Sequence, residues 1–281
     1  MFCLQEGING ETGHLLIHGV LYVKEKRPDS FLFENVFALS WKKHREFLDH
    51  ILNALSNITE EATNTTAYLV KWKILDTCKF GGLPQSRKRI YIAGCRKQAM
   101  VAEFKWPKEI PCQSLTNFLG PPDERRALRV AGAGGEHMYK NDTRMSTDTN
   151  KMNFKRGIRK IKKLGGDPYT ETWALDIFAS KKYGTNVKRD MCPCLTKSRC
   201  QAGGYYFTNR GCVQSLESML RLQGVPPKRL KKPSNVSAPK FRGMVGNAMS
   251  VPVVGRILFN QFKAIGFLKG NTDDPWATFF V

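Results

Sequence analysis

An α/β fold is predicted for this chain by two observations near its start and one in its middle. Helical periodicity alternates with short apolar runs over the first hundred residues, the order that builds a sheet flanked by helices. Residues 12–26 set Leu15, Leu16, Val20 and Val23 at helical spacing and end on basic residues. Arg27-Pro28-Asp29 stops them, because proline has no amide hydrogen to donate. Ser30 to Val36 is a short apolar run and reads as a buried parallel strand. Residues 41–56 form a second amphipathic helix, with Trp41, Phe47, Leu48, Ile51, Leu52 and Leu55 on its apolar side. Residues 67–76 alternate as a strand does, Gly81-Gly82-Leu83-Pro84 turns the chain, and Arg89 to Ala93 is the next strand.

The third observation is the uneven charge. At 281 residues the chain is long enough for two domains and a core, and its formal net charge is +21. Residues 120–245 hold 26 Lys and Arg against 10 Asp and Glu, about three quarters of the excess. This balance points to a polyanionic partner, nucleic acid before an anionic membrane. After Trp106-Pro107 the alternation breaks, and residues 120–150 have the Gly, Pro, Asp, Thr and Asn content of a loop. Residues 149–164 return to helix, with seven Lys and Arg between Lys151 and Lys163 and with Met152, Phe154, Ile158, Ile161 and Leu164 as apolar partners. Trp173 to Ala179 is expected as a strand. Ser215 to Gln223 is a short helix stopped by Gly224 and Pro226. Residues 226–242 are a basic, proline-punctuated loop, and residues 249–268 are a closing apolar helix.

Other classes are disfavoured. No stretch approaches the ~18 apolar residues of a membrane span, and the first residues lack the basic and apolar regions of a signal peptide. The eight cysteines are scattered, as reduced intracellular thiols are. Cys192, Cys194, Cys200 and Cys212 do not have the spacing of a four-cysteine zinc site and have no nearby histidine, so no metal is expected. The formal glycosylation sequons, such as Asn57-Ile58-Thr59, carry no meaning inside a cell.

Two segments carry chemistry. Phe33-Glu34-Asn35-Val36 puts an acid at the end of a strand, and Gln85-Ser86-Arg87-Lys88-Arg89 runs into another. In open α/β sheets such strand ends border the ligand site. A carboxylate accepts hydrogen bonds and a guanidinium presents a rigid donor fork, so together they suit the Watson–Crick edge of a pyrimidine. The basic residues Lys151, Lys155, Arg156, Arg159 and Lys160, with Arg199, Lys231 and Lys232, suit phosphates. Tyr205 and Tyr206 suit either packing on a sugar or a plain strand.

These segments resemble the DNA cytosine-5 methyltransferase family. The Phe33–Val36 run is similar to its ENV motif and Gln85–Arg89 to its QxRxR motif. Arg221-Leu222-Gln223-Gly224-Val225-Pro226 resembles its RLQGFP-type motif, and Gly246-Asn247-Ala248-Met249-Ser250-Val251-Pro252 its closing GNA-type motif. The four stand in family order. The resemblance implies a partial Rossmann-like, S-adenosylmethionine-dependent methyltransferase sheet with a small basic α+β target recognition domain. It divides the chain into 1–119, the C-terminal half of the catalytic domain; 120–245, the recognition domain and RLQG segment; and 246–281, a closing helix packed on the catalytic domain. It implies a methyl transfer from S-adenosylmethionine to C5 of a flipped cytosine after thiolate attack at C6. Glu34 would contact cytosine N3 and its amino group, Arg89 would contact O2, Arg87 would orient the pocket, and Asn247 would lie near the cofactor. Duplex DNA is the implied partner, in an intracellular protein that is nuclear if its host is eukaryotic.

The sequence departs from the family before Glu34, where the glycine-rich cofactor turn and the Pro-Cys-Gln nucleophile loop would stand. Pro111-Cys112-Gln113 follows the QxRxR strand instead, so Cys112 reads as a decoy in a connection. The chain is therefore expected not to methylate alone, as an incomplete coding sequence or as one part of a split enzyme whose second chain carries the missing motifs. A non-catalytic DNA-binding paralogue and an RNA (tRNA) cytosine methyltransferase are the alternatives.

Overall fold

The computed structural model describes residues 11–120, 147–180, 184–269 and 272–277. In chain order the elements are α1 (Glu11–Lys26), β1 (Ser30–Val36), α2 (Arg45–Ser56), β2 (Tyr68–Asp76), α3 (Thr77–Gly81), β3 (Gln85–Ser86), β4 (Lys88–Arg96) and α4 (Asp148–Lys163). They continue with β5 (Trp173–Leu175), β6 (Val187–Arg189), β7 (Cys192–Pro193), α5 (Lys197–Ala202), β8 (Tyr206–Phe207), β9 (Cys212–Val213), α6 (Leu216–Leu222), α7 (Ala238–Asn247) and α8 (Val251–Ala264).

The chain forms two compact units that do not follow sequence order. Among the described residues one takes 11–76, 88–110 and 252–277, and the other takes 77–87 and 111–251. Residues 77–87 and 246–251 group with the described part of 111–245, and 88–110 with the first segment.

The first unit is built on a three-stranded sheet in the order β1-β4-β2. Both pairings are antiparallel, Ser30↔Cys95 through Val36↔Arg89 and Tyr68↔Arg96 through Asp76↔Lys88. This corrects the parallel direction expected for β1. An apolar run records burial on both faces, and burial is the same for either strand direction. One face of the sheet packs Phe31, Tyr68, Ile90 and Ile92 against Leu16, Val20 and Val23 of α1 and Leu48, Ile51 and Leu55 of α2. Gln261 of α8 is fully buried and its amide nitrogen donates to the carbonyls of Phe31 (2.9 Å) and Gly94 (3.1 Å), tying the closing helix to two strands. At the other end of β4, Arg96 clamps the Glu60 carboxylate with two bonds of 2.7 Å.

α2 is shorter than expected. Phe37–Ser40 and Lys42–His44 are 3-10 turns, and Trp41 between them has an extended backbone (φ −71°, ψ 152°) that interrupts helical hydrogen bonding. Trp41 is 42% exposed rather than buried on the helix face.

The second unit holds an antiparallel sheet in the order β6-β5-β8-β9 and a two-residue parallel ladder between β3 and β7. α4 packs Phe154 and Ile161 onto Trp173, Leu175, Val187 and Tyr206. Its Gly157 is needed there, since a Cβ would lie 2.0 Å from Leu175. A second core gathers Leu83, Phe118, Leu195, Phe207, Met219, Leu222, Phe241 and Val245. The strand expected over Trp173–Ala179 ends at Leu175, where Asp176 turns aside to pair with Arg199. The loop expected over 226–242 gives way to α7 at Ala238. Ser237 caps it, accepting from the Lys240 amide, and Pro239 sits in the first turn. Most of the loop expected over 120–150 (121–146) lies outside the described residues.

Candidate functional site

The antiparallel register of β1 and β4 brings Glu34 and Arg89 together. Glu34 stands opposite Tyr91, and Arg89 is two residues before Tyr91, so the two side chains are diagonal neighbours on one face. Arg89 Nε lies 3.0 Å from Glu34 Oε1, with side-chain exposures of 13% and 18%. Arg89 Nη1 also donates to the carbonyl of Lys88 at 2.8 Å. A charge-assisted pair this far out of water is stronger than a surface ion pair and holds both groups in fixed directions. Acceptor oxygens and a donor fork thus sit side by side where β1 ends and β4 begins.

Arg87 is placed differently. It belongs to the second unit and is 3% exposed. Its guanidinium donates to the carbonyls of Leu195 (2.5 Å), Gly246 (3.3 Å) and Ala248 (2.7 Å), and Nη1 lies 3.6 Å from the Cys194 thiol. Gln85, fully buried, joins the same knot: its amide nitrogen donates to Leu222 O at 2.7 Å and its oxygen accepts from the Leu195 amide at 3.1 Å. Gln223 completes it, donating to the carbonyls of Val245 (2.8 Å) and Ala248 (3.3 Å) while its own carbonyl accepts from Val251 N at 2.9 Å. Gly246 approaches so closely that a Cβ would lie 2.4 Å from Thr196 O and 2.8 Å from Cys200 Sγ. Residues of the QxRxR, RLQG and GNA segments therefore hold one another by hydrogen bonds. Gln85 and Gln223 were quoted in the sequence motifs without a role. Gln223 stood out only as a polar residue between Leu222 and Gly224, and Gln85, followed by Ser86 and the basic run, gave no signal of burial.

The other candidates are placed as follows. Asn247 is exposed at the last turn of α7. Among the described residues the parallel pairing is the two-residue β3–β7 ladder, and no glycine turn leads from it to Asn247. Cys112 is exposed on an extended segment, its thiol 3.7 Å from the carbonyl of Gln113. Burial raises the pKa of the Cys95 and Cys192 thiols, and pushes Cys200 up to about 12, so these are poor nucleophiles. Among the described residues, no group of three His, Cys, Asp or Glu side chains could hold a metal ion, and no helix is long and apolar enough to cross a membrane.

On α4, Lys151, Lys155, Arg156, Arg159 and Lys160 are all exposed, and Thr147 caps the helix by accepting from the Asn150 amide. Lys231 is exposed. Lys232 is exposed too but donates to Pro233 O and Val236 O of its own loop, at 2.9 and 2.7 Å. Arg199 is mostly buried in its pair with Asp176, at 2.9 Å. Burial raises the Asp176 pKa, and Arg199 opposes that rise.

The fold and the site define a class: a mixed α/β protein with an acid–guanidinium pair at a strand end. The family profile of C-5 cytosine-specific DNA methylases matches residues 3–263, and the chain belongs to that family. A type II methyltransferase of Neisseria gonorrhoeae, M.NgoBI, is 28% identical over 274 residues, covering 94% of this chain and 72% of that protein. M.HaeII, the type II methyltransferase of Haemophilus aegyptius, is 26% identical over 262 residues, covering 92% of this chain and 69% of its own length. Among solved structures, the Entamoeba histolytica methyltransferase EhMeth superposes with a TM-score of 0.50 at 13% identity, over 92% of this chain and 74% of that one, a likeness of fold alone.

Proposed function

We propose that this chain supplies the cytosine-holding side of a DNA cytosine-5 methyltransferase. The Glu34–Arg89 pair, inside a chain matched over 261 residues to the C-5 methylase family, carries this reading. A cytosine extruded from the duplex, once N3 has taken a proton from water, donates from its 4-amino group and N3–H to the Glu34 carboxylate and accepts at O2 from Arg89. As a nucleophile adds at C6, negative charge moves into the ring. Glu34 stabilises the proton at N3, and Arg89 the charge at O2. In the absence of the base, the two side chains satisfy each other at 3.0 Å. Arg87 acts as a positioning residue, through the backbone segments it ties together.

S-adenosylmethionine is the methyl donor the family uses, and this chain is assigned the base-holding steps only. The nucleophile and methyl-donor motifs are assigned to polypeptide outside these 281 residues, in the same chain or in a second one. The exposed cations of α4 bind the phosphates of duplex DNA.

Affinity of the full chain for duplex DNA and for tRNA, measured across a salt series, tests the partner. A steep fall with salt and a preference for the duplex are expected. Replacing Lys155 and Arg156 with alanine is expected to reduce the logarithmic slope by about two. A flat salt response would remove the phosphate-binding role, and a preference for tRNA would reassign the acceptor to RNA.

A further inference from the structure

The turn that leaves β1 carries an exposed tryptophan beside two exposed lysines. Val36 pairs with Arg89, and the chain then runs through Phe37 to Trp41 and Arg45, so this turn springs from the strand end that carries the Glu34–Arg89 pair. Trp41 exposes 42% of its surface where a core tryptophan was expected, and the edge of Phe37 holds its ring at a centroid distance of 6.0 Å and 87°. The Lys43 ammonium lies 5.8 Å from the Trp41 ring centre, and Lys42 and Lys43 are both exposed. Arg45 stacks 5.4 Å over Trp72 and is neutralised by Asp49, with bonds of 2.9 and 3.1 Å. Glu46, exposed in the first turn of α2, offsets one of the two lysines and leaves a local excess of positive charge.

Lys43 lies against the Trp41 ring, but neither lysine stands where the following helix favours positive charge. They precede the amino end of α2, whose helix dipole favours negative charge, and His44 places no side-chain cap on its amides. An exposed indole beside two such cations meets the needs of a nucleic acid strand: a flat surface for a base and positive charge for its phosphates.

We infer that Trp41, Lys42 and Lys43 form a stacking platform for the DNA strand beside the base held by Glu34 and Arg89. An unstacked nucleotide flanking the extruded cytosine lies on the Trp41 ring, and its phosphates lie against Lys42 and Lys43. This inference rests on the reading of the chain as a DNA cytosine-binding protein.

The test is fluorescence anisotropy of the full chain with a labelled DNA duplex containing one unpaired cytosine, across a salt series. Trp41→Ala is expected to weaken binding about tenfold, the scale of one lost base–aromatic stack, and Trp41→Phe to restore most of it. Lys42→Glu with Lys43→Glu is expected to weaken binding and to lower the logarithmic salt slope by at least about two. If the unaltered protein binds with a steep salt response and the Trp41→Ala and double-glutamate variants bind within twofold of it, the platform is overturned and the parent reading stands. If the unaltered protein shows no salt-dependent binding, both fall.

Discussion

Arg87 and Arg89 stand two residues apart in the sequence, yet the fold separates them by function. Arg89 faces Glu34 across the strand pair. Arg87 turns into the second unit and holds three carbonyls contributed by chain 108 to 161 residues away. A planar guanidinium can reach several acceptors at once, whereas a lysine ammonium cannot match that geometry. Arg87→Ala is expected to lower stability by about 3–5 kcal/mol, because buried carbonyls lose charged donors. Arg87→Lys is expected to recover only part of the loss. Urea denaturation measures both, and a loss below about 1 kcal/mol in the alanine variant would contradict the assigned role. The Glu34–Arg89 partnership was legible in the sequence, since an acid and a base at two strand ends meet readily across a ladder. The separate use of Arg87 was not, because the spacing of the two arginines is silent about which one the distant segments bury.

At the scale of elements, periodicity located the longer helices and strands, missed short ones such as β6, β9 and α5, and failed where context decides. The apolar run of β1 recorded burial without direction. The segment 41–56 had helical spacing throughout, but the extended backbone at Trp41 starts the helix four residues late and leaves the indole in water. The start of α7 was signalled by Ser237-Ala238-Pro239, and the basic, proline-rich composition around it hid the cap. One clamp between elements makes a pH prediction. Arg96 on β4 hydrogen-bonds Glu60, which follows α2, and holds its pKa below the usual carboxylate value. A carboxyl whose folded pKa is depressed contributes stability above its unfolded pKa and loses it as pH falls through the folded value. Thermal stability is therefore expected to decline on acidification below the ordinary carboxylate range. Glu60→Gln is expected to be less stable at neutral pH and less sensitive to that acidification. Parallel pH profiles for the two proteins, from scans of melting temperature, would rule the clamp out as a source of the dependence.

For the whole molecule, family membership was legible because four short motifs kept their order, but the assembly was not. The two units interleave: 77–87 leaves one for the other between two strands of a single sheet, and 252–277 returns to the first. A division drawn along the sequence cannot show this, because buried bonds such as those of Gln85 join residues more than a hundred positions apart. What remains central is the pair at the end of β1 and β4. Its most direct test is the affinity of the full chain for a DNA duplex with one unpaired cytosine, against the same duplex with an unpaired thymine, in the unaltered protein and in Glu34→Gln. The thymine ring offers a carbonyl where cytosine offers an amino group, so a carboxylate should discriminate by about 1–3 kcal/mol, roughly tenfold or more. A cytosine preference of that size that disappears in Glu34→Gln is the expected result. The same preference in both proteins, or none in the unaltered one, would contradict a cytosine-holding role for Glu34.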